Sequence, residues 1–160
     1  MNINTIQAVY FIGAGGIGMS ALVRYFLSKG KKVGGYDRTP SELTEKLIAE
    51  GADIHYEENV SLIPEAFLHP ETTLVVYTPA IPANHKELVY FQEHQFEIHK
   101  RAQVLGMLTQ TEKGMCVAGT HGKNNHLYHG SFPDGPFTRG MQCIFRRYFQ
   151  ELPDQPVIIR

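Results

Sequence analysis

The sequence of 160 residues has few cysteines and no excess of charge of either sign. Its two cysteines, Cys116 and Cys143, are too few for the disulfide framework of a small secreted domain, so a cytoplasmic location is expected. The 15 basic and 16 acidic residues leave a net charge of −1, which offers no field to attract nucleic acid or an anionic membrane. With 42% hydrophobic residues, the composition is typical of a soluble globular protein.

A convincing signal peptide is also missing. The apolar stretch at residues 8–27 is interrupted by several glycines and by Arg24, no basic segment precedes it, and no small-residue cleavage site closes it. A strand, a glycine turn and a helix explain this stretch better, so no membrane partner is expected.

Short apolar runs alternate with segments of helical periodicity through the first two thirds of the chain. Thr39 is expected to cap a helix with Leu43, Leu47 and Ile48 on its inner face. The alternation predicts an α/β fold, a Rossmann-like doubly wound parallel sheet. The predicted strands are 8–12, 32–36, 54–56, 72–78, 96–99 and 115–119, and the predicted helices are about 19–27, 43–48, 84–95 and 102–108.

The first glycine loop, "GAGGIG", follows a predicted strand and precedes a predicted helix. Gly13, Gly15 and Gly18 have the G-x-G-x-x-G spacing, which permits a tight turn, close approach of a diphosphate and helix–strand packing. Asp37 ends the second strand, where a carboxylate can accept from a ribose hydroxyl. The alternatives are a dinucleotide site of an oxidoreductase and an ordinary tight turn beside a surface aspartate.

The second loop, "GTHGK" at residues 119–123, resembles the start of a phosphate-binding loop. The general pattern needs glycine where Val117 stands and a hydroxyl for Mg²⁺ where Asn124 stands. Lys123 could still reach β- and γ-phosphates. A solvated turn with one lysine is the competing interpretation.

Three separated motifs together resemble the Mur ligase family, and within it the members that join L-alanine to UDP-N-acetylmuramate. They are "FIGAGGIGMSALVRYFLSKG", "VVYTPAIPANHKEL" with the following "RAQVLGML", and "VAGTHGK". They occur in the family's order and cover residues 8–123. In that family the Rossmann-like domain holds a UDP-sugar rather than NAD, and a central domain uses ATP and Mg²⁺ to activate the muramate carboxylate as an acyl phosphate. A third domain presents L-alanine.

The resemblance implies a site and a domain division. Residues 1–110 would form the UDP-sugar domain and residues 111–123 the first strand and ATP loop of the central domain. The family has serine where Thr78 and Pro79 stand, so the second substrate loop departs from the pattern there. The implied UDP-sugar residues are Gly13, Gly15, Gly16, Ile17, Gly18, Asp37, Thr78, Ala80, Ile81 and Arg101, and the implied ATP residues are Gly119, Thr120, His121, Gly122 and Lys123.

The resemblance stops abruptly after Lys123. Residues 124–160 contain no alanine and no lysine, and four of the nine prolines lie there. One extra A in the codons of Lys123 and Asn124 would explain the change, because the parental frame then permits T-T-T next and C-N-A-F-L-G-G-I-S-K-N from residues 141–142 onward. The tail is therefore expected to be out of frame and disordered, and the chain catalytically inactive but able to bind the UDP-sugar. A natural short protein with an unusual tail, acting as a non-catalytic binding module, is the alternative.

A metal site is not expected. His121, His126 and His129 lie close in sequence, but no cysteine or carboxylate nearby completes a tetrahedral set.

Overall fold

The computed structural model describes residues 5–111, 114–118 and 141–145, with side chains over residues 5–109. The chain divides into two compact units, Met1–Leu108 and Thr109–Arg160. All of the candidate UDP-sugar residues belong to the first unit.

The first unit is built on a sheet of five parallel strands in the order β3-β2-β1-β4-β5. This arrangement confirms the predicted Rossmann-like α/β fold, because the chain moves outward from β1 in both directions. The strands are β1 Ala8–Ile12, β2 Lys32–Tyr36, β3 Asp53–His55, β4 Thr73–Tyr77 and β5 Glu97–Lys100; the helices are α1 Ile17–Ser28, α2 Glu42–Ala49, α3 Lys86–Glu93 and α4 Arg101–Thr111.

Strand β1 is the centre of the core, and all five of its residues are buried. Its side chains alternate between the two faces of the sheet. Phe11 packs against Phe26 of α1, with ring centroids 6.2 Å apart. Tyr10 packs on the other face against Phe91 of α3, at 5.0 Å, and against Phe67 of a short 3₁₀ turn, at 5.5 Å. Helices therefore cover both faces, as the near-continuous apolar sequence of β1 predicts.

The start of α2 differs from the prediction. Ser41, not Thr39, is the N-cap: its hydroxyl accepts from the backbone N–H of Thr44 at 3.2 Å, and the Thr44 hydroxyl accepts from the Ser41 N–H at 2.9 Å. This reciprocal capping box fixes the helix two residues later than expected. Thr44 and Leu47 are buried, whereas Ile48 is 42% exposed, so its predicted inner position is also wrong.

Two features were not predicted from the sequence. The segment between β3 and β4 contains 3₁₀ turns at Val60–Leu62 and Glu65–Phe67. In the second unit, β6 Gly114–Ala118 pairs antiparallel with β7 Met141–Phe145, which lies in the stretch expected to be disordered. The rest of that stretch lies outside the described residues.

None of the helices in the described part of the chain is both long and apolar enough to cross a membrane.

Candidate functional site

The glycine turn between β1 and α1 is fixed against the neighbouring strand. The N–H groups of Gly13 and Ala14 both donate to the carbonyl oxygen of Tyr36 in β2, at 2.8 and 3.1 Å. Gly13 has φ +90°, a backbone conformation that residues other than glycine rarely adopt. A Cβ atom added there would lie 2.5 Å from Cγ2 of Thr78, so the turn also requires glycine for space.

Helix α1 begins at the end of this turn with an open N-terminus. Its N-cap is Gly16, which has no side chain to satisfy the first N–H groups. The N–H groups of Ile17 and Gly18 find no acceptor within a helix that starts here. Ile17 is 73% exposed, so the entrance to the helix N-terminus is open on that side.

Arg101, the first residue of α4, lies directly against the first turn of α1. A Cβ added to Gly18 would be 2.6 Å from Nη1 of Arg101 and 3.1 Å from its guanidinium carbon. Gly18 therefore makes room for the guanidinium group. The guanidinium group and the positive end of α1 thus lie side by side, and each attracts an anion.

Asp37 holds the other side of the turn. Its Oδ2 accepts from the Gly15 N–H at 2.6 Å, its Oδ1 accepts from the Thr39 N–H at 3.1 Å, and its own N–H donates to the His55 carbonyl at 3.0 Å. A carboxylate oxygen has more than one lone pair, so each can accept a further hydrogen bond from a ligand hydroxyl. A Cβ at Gly15 would lie 2.9 Å from Oδ2, which explains glycine at this position as well.

The second predicted substrate loop packs beside the glycine turn. The Thr78 N–H donates to the Ile12 carbonyl at 3.3 Å, and the Ile81 N–H donates to the Thr78 carbonyl at 3.1 Å. Ile81 is half-buried and Ala80 is exposed. A Cβ at Gly13 would lie 3.7 Å from Ile81, so this loop forms one wall of the turn.

The described residues thus bring the predicted first site together. Its members meet at the carboxyl ends of parallel strands, on either side of β1, where ligands bind in open α/β sheets. Gly13, Gly15, Gly18, Asp37, Thr78, Ile81 and Arg101 form the interior of this cluster, and Gly16, Ile17 and Ala80 lie on its exposed rim.

The predicted ATP loop, Gly119–Lys123, lies outside the described residues, as do His126 and His129. In the part of the chain that the structure describes, no group of three or more histidine, cysteine or acidic side chains is placed to hold a metal ion.

One polar cluster in this unit was missed by the sequence analysis. The hydroxyl of Tyr10 lies 2.7 Å from Nε2 of His55 and 2.8 Å from Oε2 of Glu87, and Glu87 is fully buried. The available signal was Tyr10 itself, because a tyrosine in the middle of a buried strand needs a partner for its hydroxyl. Sequence spacing alone does not identify partners 45 and 77 residues away.

Comparison with known proteins gave matches to one family. Residues 8–113 match the model described as "Mur ligase family, catalytic domain". Over 137 residues the chain is 72% identical to a UDP-N-acetylmuramate–L-alanine ligase of Phocaeicola vulgatus, covering 82% of this chain and 30% of the relative. A protein of the same name from Flavobacterium johnsoniae is 54% identical over 140 residues, covering 84% of this chain and 31% of the relative.

Solved structures show the same likeness. The UDP-N-acetylmuramate-alanine ligase of Thermotoga maritima superposes with a TM-score of 0.59 at 27% identity, covering 66% of this chain and 23% of that one. A murein peptide ligase of Psychrobacter arcticus, with a TM-score of 0.60 at 21% identity, shares the fold. The chain spans about 30% of the length of the two relatives compared by sequence.

Proposed function

Because the chain belongs to the Mur ligase family, we propose that its glycine turn binds the diphosphate of UDP-N-acetylmuramate. The parent reaction is the ATP-dependent joining of L-alanine to that sugar nucleotide, and we place it in the cytoplasm. The first unit supplies the sugar-nucleotide site, and its residues position the ligand.

The observation that carries this proposal is the position of Arg101. Its guanidinium group is held against Gly18, at the positive end of α1. Backbone N–H groups, a helix dipole and a guanidinium group converge there, and each favours a phosphate. One diphosphate would accept hydrogen bonds from the α1 N-terminus and from Arg101.

The remaining site residues are assigned around that diphosphate. Asp37 keeps the turn in shape through the Gly15 N–H, and its remaining lone pairs would accept from the ribose on the uridine side. Thr78, Ala80 and Ile81 would contact the ligand from the second loop. Ile17, exposed at the rim, would cover an apolar part of the ligand.

A titration of the 160-residue chain with UDP-N-acetylmuramate and with NADH tests the assignment. Both ligands carry a diphosphate and a ribose, so the glycine turn alone does not separate them. We expect the sugar nucleotide to bind more tightly, measured by isothermal calorimetry. Arg101→Gln should weaken its binding at least ~10-fold, since a charge-assisted hydrogen bond is worth about 1.5–3 kcal/mol.

The matched control for that variant is Lys100→Gln, which removes an exposed charge from the preceding residue. Its affinity should stay within about threefold of the unmodified chain. Tighter binding of NADH would instead favour the oxidoreductase interpretation. Equal losses of affinity in the two variants would mean that Arg101 contributes only its charge and does not contact the diphosphate.

The proposal for ATP rests on the sequence of residues 119–123 alone. ATP would supply the phosphoryl group that activates the sugar carboxylate, and Gly119, Thr120, His121, Gly122 and Lys123 are the residues of this chain that would hold its phosphates. Asn124 offers no hydroxyl for Mg²⁺. We therefore expect no alanine-dependent ATP turnover from this chain.

We further propose that residues 124–160 are translated out of frame, as the codon argument indicates. Deleting one A near codon 124 should restore threonines after Lys123 and ligase-like sequence beyond them. Sequencing of the coding DNA checks this directly. A reading frame in which no single-base deletion restores that sequence would support a binding module with its own tail.

A further inference from the structure

Three buried or half-buried polar side chains form a hydrogen-bonded network inside the first unit. The hydroxyl of Tyr10 in β1 lies between Oε2 of Glu87 in α3, at 2.8 Å, and Nε2 of His55 at the end of β3, at 2.7 Å. Tyr10 and Glu87 are both 0% exposed. The second oxygen of Glu87, Oε1, accepts from the Asn59 N–H at 3.3 Å and lies 3.6 Å from His55 Nε2.

The three side chains carry too few hydrogens for their short contacts if Glu87 is ionised and His55 is neutral. His55 Nδ1 lies 2.9 Å from the carbonyl oxygen of Glu57, which can only accept, so Nδ1 carries the hydrogen of a neutral imidazole and Nε2 carries none. The Tyr10 hydroxyl has one hydrogen and two short contacts. With Glu87 ionised and His55 neutral, one of those contacts would set two lone pairs against each other.

We infer that the Glu87–Tyr10–His55 network holds one additional proton near neutral pH, shared among its three side chains. The proton can reside on Glu87, whose carboxyl group then donates to Tyr10 while Tyr10 donates to His55. It can also reside on His55, which then donates to Tyr10 while Tyr10 donates to ionised Glu87. Both arrangements satisfy every contact, and the arrangement without the proton does not.

Burial favours the first arrangement. Desolvation raises the pKa of Glu87 to about 7. Desolvation also lowers the pKa of His55, which favours the neutral imidazole. Ionisation of Tyr10 is opposed as well, because burial and the charge of Glu87 raise its pKa.

The nearby acidic groups act in the same direction as burial, whereas the hydrogen bonds from Tyr10 and from the Asn59 N–H lower the pKa of Glu87. The charges of Asp53, Glu57 and Glu58 each favour the protonated form of a network member. His85, packed 4.7 Å from the Tyr36 ring, has its pKa lowered by burial. The titratable neighbours on the packed elements are therefore Tyr36 of β2, Asp53 of β3, Glu57 and Glu58 after β3, and His85 before α3.

Such a proton makes the stability of this unit depend on pH. The folded-state pKa of Glu87 lies above its unfolded value, so its contribution is full below pH 4.5 and is lost as the pH rises through about 7. The network also lies under the site, since the His55 carbonyl accepts from the Asp37 N–H at 3.0 Å. Loss of the proton would loosen the strand end that carries Asp37.

The variant Glu87→Gln tests the stability effect on the full chain. A glutamine amide donates to Tyr10 without a proton from solvent, so the network is satisfied at every pH. Denaturant unfolding should show the folded-to-unfolded ratio of the unmodified chain falling, relative to Glu87→Gln, by at least roughly tenfold between pH 5.5 and pH 8.5. Glu93→Gln, an exposed glutamate at the end of the same helix, should keep the pH dependence of the unmodified chain.

A spectroscopic measurement on the unmodified chain keeps the inference falsifiable if the variant does not fold. At pH 6.5 we expect the infrared carbonyl stretch of a protonated, buried carboxyl group, or else an imidazolium ¹⁵N signature at His55. Either result locates the shared proton. An ionised Glu87 together with a neutral His55 at that pH, or identical pH profiles for the unmodified chain and Glu87→Gln, would overturn the inference.

Discussion

Gly18→Val is expected to weaken binding of UDP-N-acetylmuramate by at least ~100-fold, about 2.7 kcal/mol, while the fold stays intact. A Cβ at this position would lie 2.6 Å from Nη1 of Arg101, so valine occupies the space of the guanidinium group. The group that must yield is the end of a long flexible side chain, and it can swing away without disturbing the sheet. The loss includes the charge-assisted hydrogen bonds of Arg101 and access to the first turn of α1.

Calorimetric titration measures the affinity, and thermal unfolding followed by circular dichroism measures the fold. The matched control is Gly106→Val in α4, an exposed helical position where an added Cβ meets nothing within 4 Å. It introduces the same side chain away from the turn and should leave the affinity unchanged. Retained binding in Gly18→Val would mean that neither Arg101 nor the helix N-terminus contacts the ligand.

The strands around this site could be predicted closely because each is bounded by residues that stop a strand. β1 and β2 have the predicted bounds, 8–12 and 32–36, since a buried parallel strand appears as a short apolar run ending at a turn or a charged residue. The sheet topology followed from the alternation of strands and helices. Together these fixed the location of the glycine turn at the carboxyl edge.

Local choices between similar residues were harder to predict. In "TPSELT" both Thr39 and Ser41 precede the helix and can cap it, and the structure selects Ser41 because Thr44 completes a capping box with it. Thr39 instead donates its N–H to Oδ1 of Asp37, two residues before it. Contacts between residues no more than three positions apart thus decided the choice between the two caps.

The residues of the site could be predicted only in part from the sequence. The glycines and Asp37 carry a recognisable spacing, whereas the place of Arg101 against Gly18 depends on how β5 and α4 return to the sheet. The resemblance to a family supplied Arg101, and the structure supplied its contact. The buried Tyr10 network had neither a motif nor a local spacing, so only the fold brings its members together.

Gly13→Ala should destabilise the first unit by about 2–5 kcal/mol. Two independent costs add. The φ of +90° is strained for any residue with a Cβ, at about 1–2 kcal/mol, and the new methyl would lie 2.5 Å from Cγ2 of Thr78, an overpacking worth about 1–3 kcal/mol. Urea unfolding followed by circular dichroism measures the sum.

Two further variants separate these costs. Gly30→Ala also places a Cβ on a residue with positive φ, +69°, but nothing lies within 4 Å, so it should show the backbone strain alone. Thr78→Ser removes the methyl that clashes, and in the Gly13→Ala background it should recover the overpacking part while the strain remains. Equal costs for Gly13→Ala and Gly30→Ala would show that the loop gives way freely, and Thr78 would then be too mobile to form a fixed wall of the site.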